Sequence, residues 1–309
     1  MKKKVLVWIP FLLISCGKTG ISIDYSMNMN DDFEECTSLE NVQGRKARVV
    51  ALLGQSNATG CSLTAYLKDH ISEEKYQEYE NGYEDIRINY CLDDHSFSSN
   101  GQFVKTDLNC GAGKGFFGSE VSMAETLSQN KKENEDFFIL KYSMSGYSLN
   151  YHWLTDKKRG TIYNPCVKFL KQYLSSLKDA GYQVDLTSVC WMQGESDTTE
   201  EKAKKYYDNQ IAFASYLRED LKDYSEDGSI YFIDAGISNS PYCEPGYPIV
   251  NEAKQKFAKL SPYNVYFSTI DLGLTIDQEP AGDPDWGHYD SMSEIALGHR
   301  FAEEVLKSF

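Results

Sequence analysis

A chain of 309 residues, 41% of them hydrophobic, can bury roughly 75% of the surface its unfolded form exposes, so disulfides are not required to hold a core. Its 31 basic and 46 acidic residues leave a formal charge of −15. Such a field repels phosphate backbones and anionic lipid, which argues against nucleic acid as a partner.

The amino terminus opens with Lys2, Lys3 and Lys4, followed by the apolar run from Val5 to Ile14. That run is far shorter than the ~20 residues that span a bilayer, and it reads as a signal peptide over residues 1–15. It ends in Leu13-Ile14-Ser15-Cys16-Gly17, which resembles a bacterial lipobox with Cys16 as the lipidated first residue of the mature chain. A diacylated cysteine supplies the two-chain attachment that stable anchoring needs. The expectation is an exported, membrane-anchored lipoprotein at the periplasm or cell surface, touching the membrane through this lipid only. Residues 16–45 are polar and aperiodic and are expected to form a flexible tether.

From Arg48 onward apolar strands alternate with amphipathic helices. Strands are predicted at Val49–Leu53, Phe137–Tyr142, Ser188–Met192, Ile230–Asp234 and Val265–Ile270, each rich in β-branched or aromatic residues, as strands buried on both faces are. Helices are predicted at about 119–130, 161–180, 199–222, 249–260 and 291–308. The last opens on Ser291-Met-Ser-Glu294, a capping-box pattern, with Met292, Ile295, Ala296, Ala302, Val305 and Leu306 on one face. The alternation predicts one α/β domain over 46–309: a mostly parallel five-stranded sheet in three α/β/α layers. Active sites of such sheets lie at the carboxyl ends of the strands. Residues 61–118 break the rhythm and read as an insertion without a clear core pattern, a wall or lid beside the site. Beyond Cys16 seven cysteines remain, at 36, 61, 91, 110, 166, 190 and 243. No C-x-x-C pair occurs among them, which argues against a zinc ribbon or thioredoxin chemistry. In an exported protein some are expected to pair, for example Cys91 with Cys110. Cys190, inside an apolar strand, is the expected free thiol. The acidic runs near Asp31 and Glu34 read as solvated surface, not a metal site.

Four segments carry chemistry, each after a predicted strand or before the final helix. Gly54-Gln55-Ser56-Asn57 places a serine on a strand-ending turn, where its hydroxyl and nearby backbone N–H groups converge. Ser145-Gly146-Tyr147 follows the second strand, with Trp153 beyond. Trp191-Met192-Gln193-Gly194-Glu195-Ser196-Asp197 ends the third; its Gln193 amide could donate to an oxyanion and its Glu195 could approach a histidine. Asp285-Trp286-Gly287-His288 supplies an acid three residues before a base, the orienter and base of a triad. No G-x-S-x-G elbow is present.

In order and content these blocks resemble the SGNH hydrolase superfamily, whose fold is flavodoxin-like, and more closely its sialate O-acetylesterase-like branch, which includes carbohydrate esterase family six. The resemblance spans about residues 48–309. Phe117-Gly-Ser-Glu-Val-Ser-Met-Ala124 and the stretch from His288-Tyr-Asp to Ala302 share it. It implies Ser56 as nucleophile, His288 as general base, and Asp285 or Glu195 as the acid that orients it. It further implies an oxyanion hole from Ser56, Gly146 and Gln193, with Asn57, Tyr147 and Trp153 around an acetylated carbohydrate substrate. The reaction it implies is hydrolysis of O-acetyl esters through an acetyl-serine, without metal or other cofactor. Where the branch has Gly-Gly-Thr this chain has Ser145-Gly146-Tyr147, which keeps the donor and alters the pocket. Competing readings are an esterase for lipid or simple acyl chains and a non-catalytic glycan-binding lipoprotein of the same fold. Oligomeric state has no signature in the sequence.

Overall fold

The computed structural model describes residues 29–309; the expected signal peptide, Cys16 and the start of the expected tether lie outside the described residues. Six parallel strands form the centre: β1 (Lys46–Gly54), β2 (Tyr83–Leu92), β3 (Glu135–Ser143), β4 (Gln183–Met192), β5 (Tyr231–Ala235) and β6 (Asn264–Phe267). They lie in the order β6-β5-β4-β1-β3-β2. The chain builds outward from β1 to one side through β2 and β3, then returns to the other side with β4. The strand order therefore reverses at β1, and the crevice beyond its carboxyl end is the switch point where ligands bind in open α/β sheets.

Among the described residues eight α-helices flank the sheet or decorate its edge: α1 (Ser56–Thr59), α2 (Thr64–His70), α3 (Glu73–Asn81), α4 (Glu120–Gln129), α5 (Tyr163–Asp179), α6 (Glu200–Leu221), α7 (Tyr247–Ala258) and α8 (Ser291–Leu306). Helices α5, α6 and α7 pack side by side as one layer, and α4 with α8 forms the other. The α/β/α sandwich expected from the alternation is therefore present. All five predicted strands and all five predicted helices occur, with ends shifted by a few residues. Val49 to Leu53 are fully buried, as a central strand covered on both faces requires.

Several expectations are corrected. The sheet has six parallel strands, because the insertion at 61–118 contributes β2, paired in register along β3. Two short antiparallel pieces, Phe97–Ser98 and Val104–Thr106, extend the sheet beyond β2. The insertion is fastened from below: Lys141 of β3, fully buried, binds Glu120 at 2.6 Å and the Cys110 carbonyl at 2.9 Å. Residues 29–45 are no tether. Phe33 stacks on His95 and meets Phe169 edge-on, and Leu39 and Val42 pack on the core. These apolar anchors are too irregularly spaced to show as a period. All seven cysteines of the described residues are free, Cys91 and Cys110 included; both sit in the core, which closes without them being joined. Helix α8 is not closed by a local capping box. Its first residue is held by a distant carboxylate: Glu279 accepts from the Ser291 N–H at 2.8 Å and the Ser291 hydroxyl at 2.6 Å. Met292, expected on the buried face, is 42% exposed.

Candidate active site

The end of β1 is shaped by crowding. A Cβ on Gly54 would lie 1.9 Å from the Met192 carbonyl, so only glycine lets β1 and β4 run this close to their ends. The next residue, Gln55, donates its N–H to that same Met192 carbonyl at 3.0 Å. The chain then turns sharply into α1, whose first residue is Ser56. Its backbone N–H belongs to a first helical turn, where no intrahelical acceptor exists, and the residue retains 8% of its surface at the crevice.

Asn57 joins the distant segments. It is 2% exposed, and its side chain grips the loop on both sides of His288: Nδ2 donates to the Gly287 carbonyl at 3.4 Å, and Oδ1 accepts from the Tyr289 N–H at 3.2 Å. The same Nδ2 donates to Glu195 Oε1 at 2.7 Å. Every polar atom of this amide is thus engaged with protein, which corrects the expectation that Asn57 contacts substrate. It clamps three blocks together beside Ser56.

His288 Nδ1 and Asp285 Oδ2 lie 2.7 Å apart, and Asp285 Oδ1 also accepts from the Gly287 N–H at 3.0 Å. The bond to His288 holds the Asp285 carboxyl below the usual carboxylate range. Glu195, the other candidate orienter, binds Asn57 and makes no hydrogen bond to the imidazole; burial pushes its carboxyl up, and its Oε2 is buried without a partner. Burial works against a charged His288, but the nearby Cys61 sulfur and the hydrogen bond to Asp285 outweigh it and hold the group well above its ordinary value.

At Gly146 the backbone is left-handed (φ 78°) and a Cβ would meet nothing within 4 Å, so the space around its Cα is open. Tyr147 beside it is half-buried, its ring edge-on to His152 at 4.8 Å. The serine that replaces the usual first glycine of this block has a partner of its own. Asp93 accepts from the Ser145 N–H at 2.6 Å and the Ser145 hydroxyl at 3.0 Å. Thr59 of α1 joins the same group, 3.2 Å from the Ser145 hydroxyl and 2.7 Å from that of Ser143.

The Trp191–Asp197 segment is a brace. Gln193 is fully buried, and its Nε2 lies 2.6 Å from Asp197 Oδ2, 3.2 Å from Gln55 Oε1 and 3.3 Å from the Tyr147 carbonyl. The amide assigned to the oxyanion is therefore already committed to three acceptors, and a bound oxyanion would have to displace one of them. Asp197 in turn accepts the N–H groups of Leu149 and Asn150, fixing the turn after the second block. Trp153 also departs from expectation. It is fully buried, packed edge-on against Trp191 and Phe213 with ring centroids at 5.1 and 5.6 Å, and has no face to offer a substrate.

Two residues near the site carried no readable signal. Asp93 and Cys61 both belong to the insertion, and neither stands in a motif that betrays its contact with Ser145 or His288. Among the described residues no group of three or more His, Cys, Asp or Glu is placed to hold a metal ion, and no helix is long and apolar enough to cross a membrane.

Solved structures share the fold. A protein from Arabidopsis thaliana is 19% identical, with TM-score 0.59, over 86% of this chain and 99% of its own. NanS is 15% identical, with TM-score 0.60, over 86% and 98%. A carbohydrate acetylesterase from Xanthomonas citri is 16% identical, with TM-score 0.52, over 82% and 55%. No curated protein matches the sequence significantly. The family described as carbohydrate esterase, sialic acid-specific acetylesterase, matches residues 46–307. With the blocks at 54–57, 145–147, 191–197 and 285–288 gathered at the end of β1, and with that match covering nearly all of the described chain, this protein belongs to the sialic acid-specific acetylesterase family of carbohydrate esterases.

Proposed function

We propose that the chain hydrolyses O-acetyl esters of sugars, with Ser56 as nucleophile, His288 as general base and Asp285 as its orienting acid. The observation that carries this reading is the Asn57 clamp: the neighbour of Ser56 is bonded to both residues flanking His288, while Asp285 occupies the far nitrogen of the imidazole. This leaves Nε2 as the nitrogen available to take a proton.

The steps follow from that placement. His288 removes the proton of Ser56 as its oxygen attacks the acetyl carbonyl. Negative charge develops on the carbonyl oxygen, and in this reading the N–H groups of Ser56 and Gly146 receive it; one such donor is worth about 3–4 kcal/mol of transition-state stabilisation. The carbon–oxygen bond to the sugar breaks, and the leaving oxygen takes the proton from His288. Water, deprotonated by the same base, then attacks the acetyl-serine and acetate departs. Asp285 holds the imidazole tautomer and stabilises the imidazolium formed on the way.

The test is acetate release from a panel of O-acetylated sialic acids, xylans and pectins, together with 4-nitrophenyl acetate. Wild type is expected to release acetate, and Ser56→Ala to lose at least about 10⁴ in kcat. Turnover that survives in Ser56→Ala, or a wild type inert on every acetyl ester, would remove the reading.

A further inference from the structure

The insertion builds a second concavity beside the site. A groove of about 420 Å³ lies between the turn that follows β2 and the loop at 109–114, lined among others by Tyr90, Phe97, Asn100, Asn109 and Lys114. That volume falls within the roughly 300–1,000 Å³ of small-molecule sites. None of its ten lining residues is acidic, although the chain as a whole carries −15. Phe97 is 37% exposed, and its ring rests on Gly113: a Cβ there would lie 2.8 Å from Phe97 Cε1. The left-handed φ of 112° at Gly113 agrees with this close approach. An aromatic face is thus held at the surface, with amides and an ammonium group around it.

Both walls are tied to the catalytic segments. On one side the turn carries Asp93, which binds Ser145 next to Gly146. On the other, Ala112 donates to the Gly60 carbonyl at 2.9 Å, and Gly60 donates to the Ser56 carbonyl at 3.0 Å. Both walls of the groove are therefore fixed relative to the segments that carry Ser56 and Gly146.

We propose that this groove is a subsite for the sugar unit adjoining the acetylated one, so that the protein recognises an acetylated oligosaccharide in preference to a single sugar; this rests on the esterase reading above. A pyranose presents an apolar C–H face, which stacks on Phe97, and a rim of hydroxyls, which meets the Asn100 and Asn109 amides and the Lys114 ammonium. The chemistry is neutral or anionic glycan, since no carboxylate lines the groove to repel it.

The experiment compares wild type, Phe97→Ala and Phe97→Trp on three substrates: an O-acetylated oligosaccharide, the matching acetylated monosaccharide and 4-nitrophenyl acetate. Phe97→Ala is expected to lower kcat/KM on the oligosaccharide about tenfold, through KM. It should stay within about twofold of wild type on the other two, and Phe97→Trp should restore the oligosaccharide value. Equal losses on all three substrates, or none on the oligosaccharide, overturn the subsite while leaving the esterase reading intact. Binding of the deacetylated oligosaccharide to Ser56→Ala, followed by NMR titration, needs no turnover. Titration at the 93–114 segments that Phe97→Ala abolishes supports the groove, and the absence of binding there overturns it even if the esterase reading fails for its own reasons.

Discussion

His288 is pulled in opposite directions, and the outcome sets how the protein should respond to pH. Burial favours the neutral imidazole; the nearby Cys61 sulfur and the hydrogen bond to Asp285 favour the charged one and prevail. A general base works only when neutral, so a raised pKa moves the acid limb of the rate profile upward. The limb is expected above the roughly 6.5 of an unperturbed histidine. Asp285→Asn removes a raising partner, so the limb should shift to lower pH while kcat falls by up to roughly 10⁴. The profile of kcat/KM on 4-nitrophenyl acetate reads both effects, and an unmoved limb would count against Asp285 as the orienter. Asp93 acts at one remove. It holds Ser145 through two bonds and so fixes the direction of the Gly146 N–H. Asp93→Ala is expected to lower kcat roughly 10–100-fold, a partial loss of one oxyanion donor, with KM little changed. Asp93→Asn keeps an acceptor for the Ser145 N–H and should recover most of the rate. Equal kinetics for Asp93→Ala and wild type would show that the loop holds itself.

Helix α8 brings a buried acid with it. Glu294 is 1% exposed, and burial, reinforced by the Glu120 carboxylate, pushes its carboxyl up to about 8. The folded protein therefore keeps a proton there until about pH 8, whereas the unfolded chain releases it near 4.3. Between those values the native state binds more protons, so stability falls as pH rises. Glu294→Gln removes this penalty. Its melting temperature should exceed that of wild type by a few degrees at pH 8–9, and the gap should close towards pH 4–5. A constant offset across that range would contradict the assignment. Strand β2 shows a different feature of elements at an edge. Its first three residues are partly or fully exposed, and from Ile86 on most are buried, with Arg87 and Tyr90 only partly so. Its sequence, Tyr-Glu-Asp-Ile-Arg-Ile-Asn-Tyr-Cys-Leu, places three charged residues, Glu84, Asp85 and Arg87, in its first half, and so it hid inside the insertion.

The whole molecule is an acidic α/β/α sandwich whose strand order reverses beside its candidate nucleophile. The coincidence has a mechanical basis: only at the switch point do the loops after neighbouring strands diverge and leave a crevice. Here those loops carry Ser56, Ser145–Tyr147 and Glu195, and the segment before α8 brings His288 over them. The described residues begin at Met29, and the chain from there to Arg45 is docked on the core. Lipid attachment at Cys16 remains our proposal for the segment before it. Expression in a bacterium with labelled palmitate should yield a labelled, membrane-associated protein, and Cys16→Ser should lose both label and membrane association. Wild type that takes up no label would end the lipoprotein reading.

The sequence by itself determined the alternation of elements, the α/β class, the four blocks and the candidacy of Asp285 as a partner of His288, because each of these is local; the choice of Asp285 over Glu195 came from the tertiary structure. A buried parallel strand needs a continuous apolar run, and an acid three residues before a histidine reaches it within one loop. Tertiary structure decided what depended on distant partners. Trp153 was legible as an aromatic residue, but only packing against Trp191 and Phe213 placed it in the core. Gln193 was legible as a donor, but Asp197, Gln55 and Tyr147 already claim its amide. Asp93, Cys61 and the role of Asn57 were invisible for the same reason. A polar side chain has several acceptors within its chemistry, and which one it finds is fixed only when the chain closes around it.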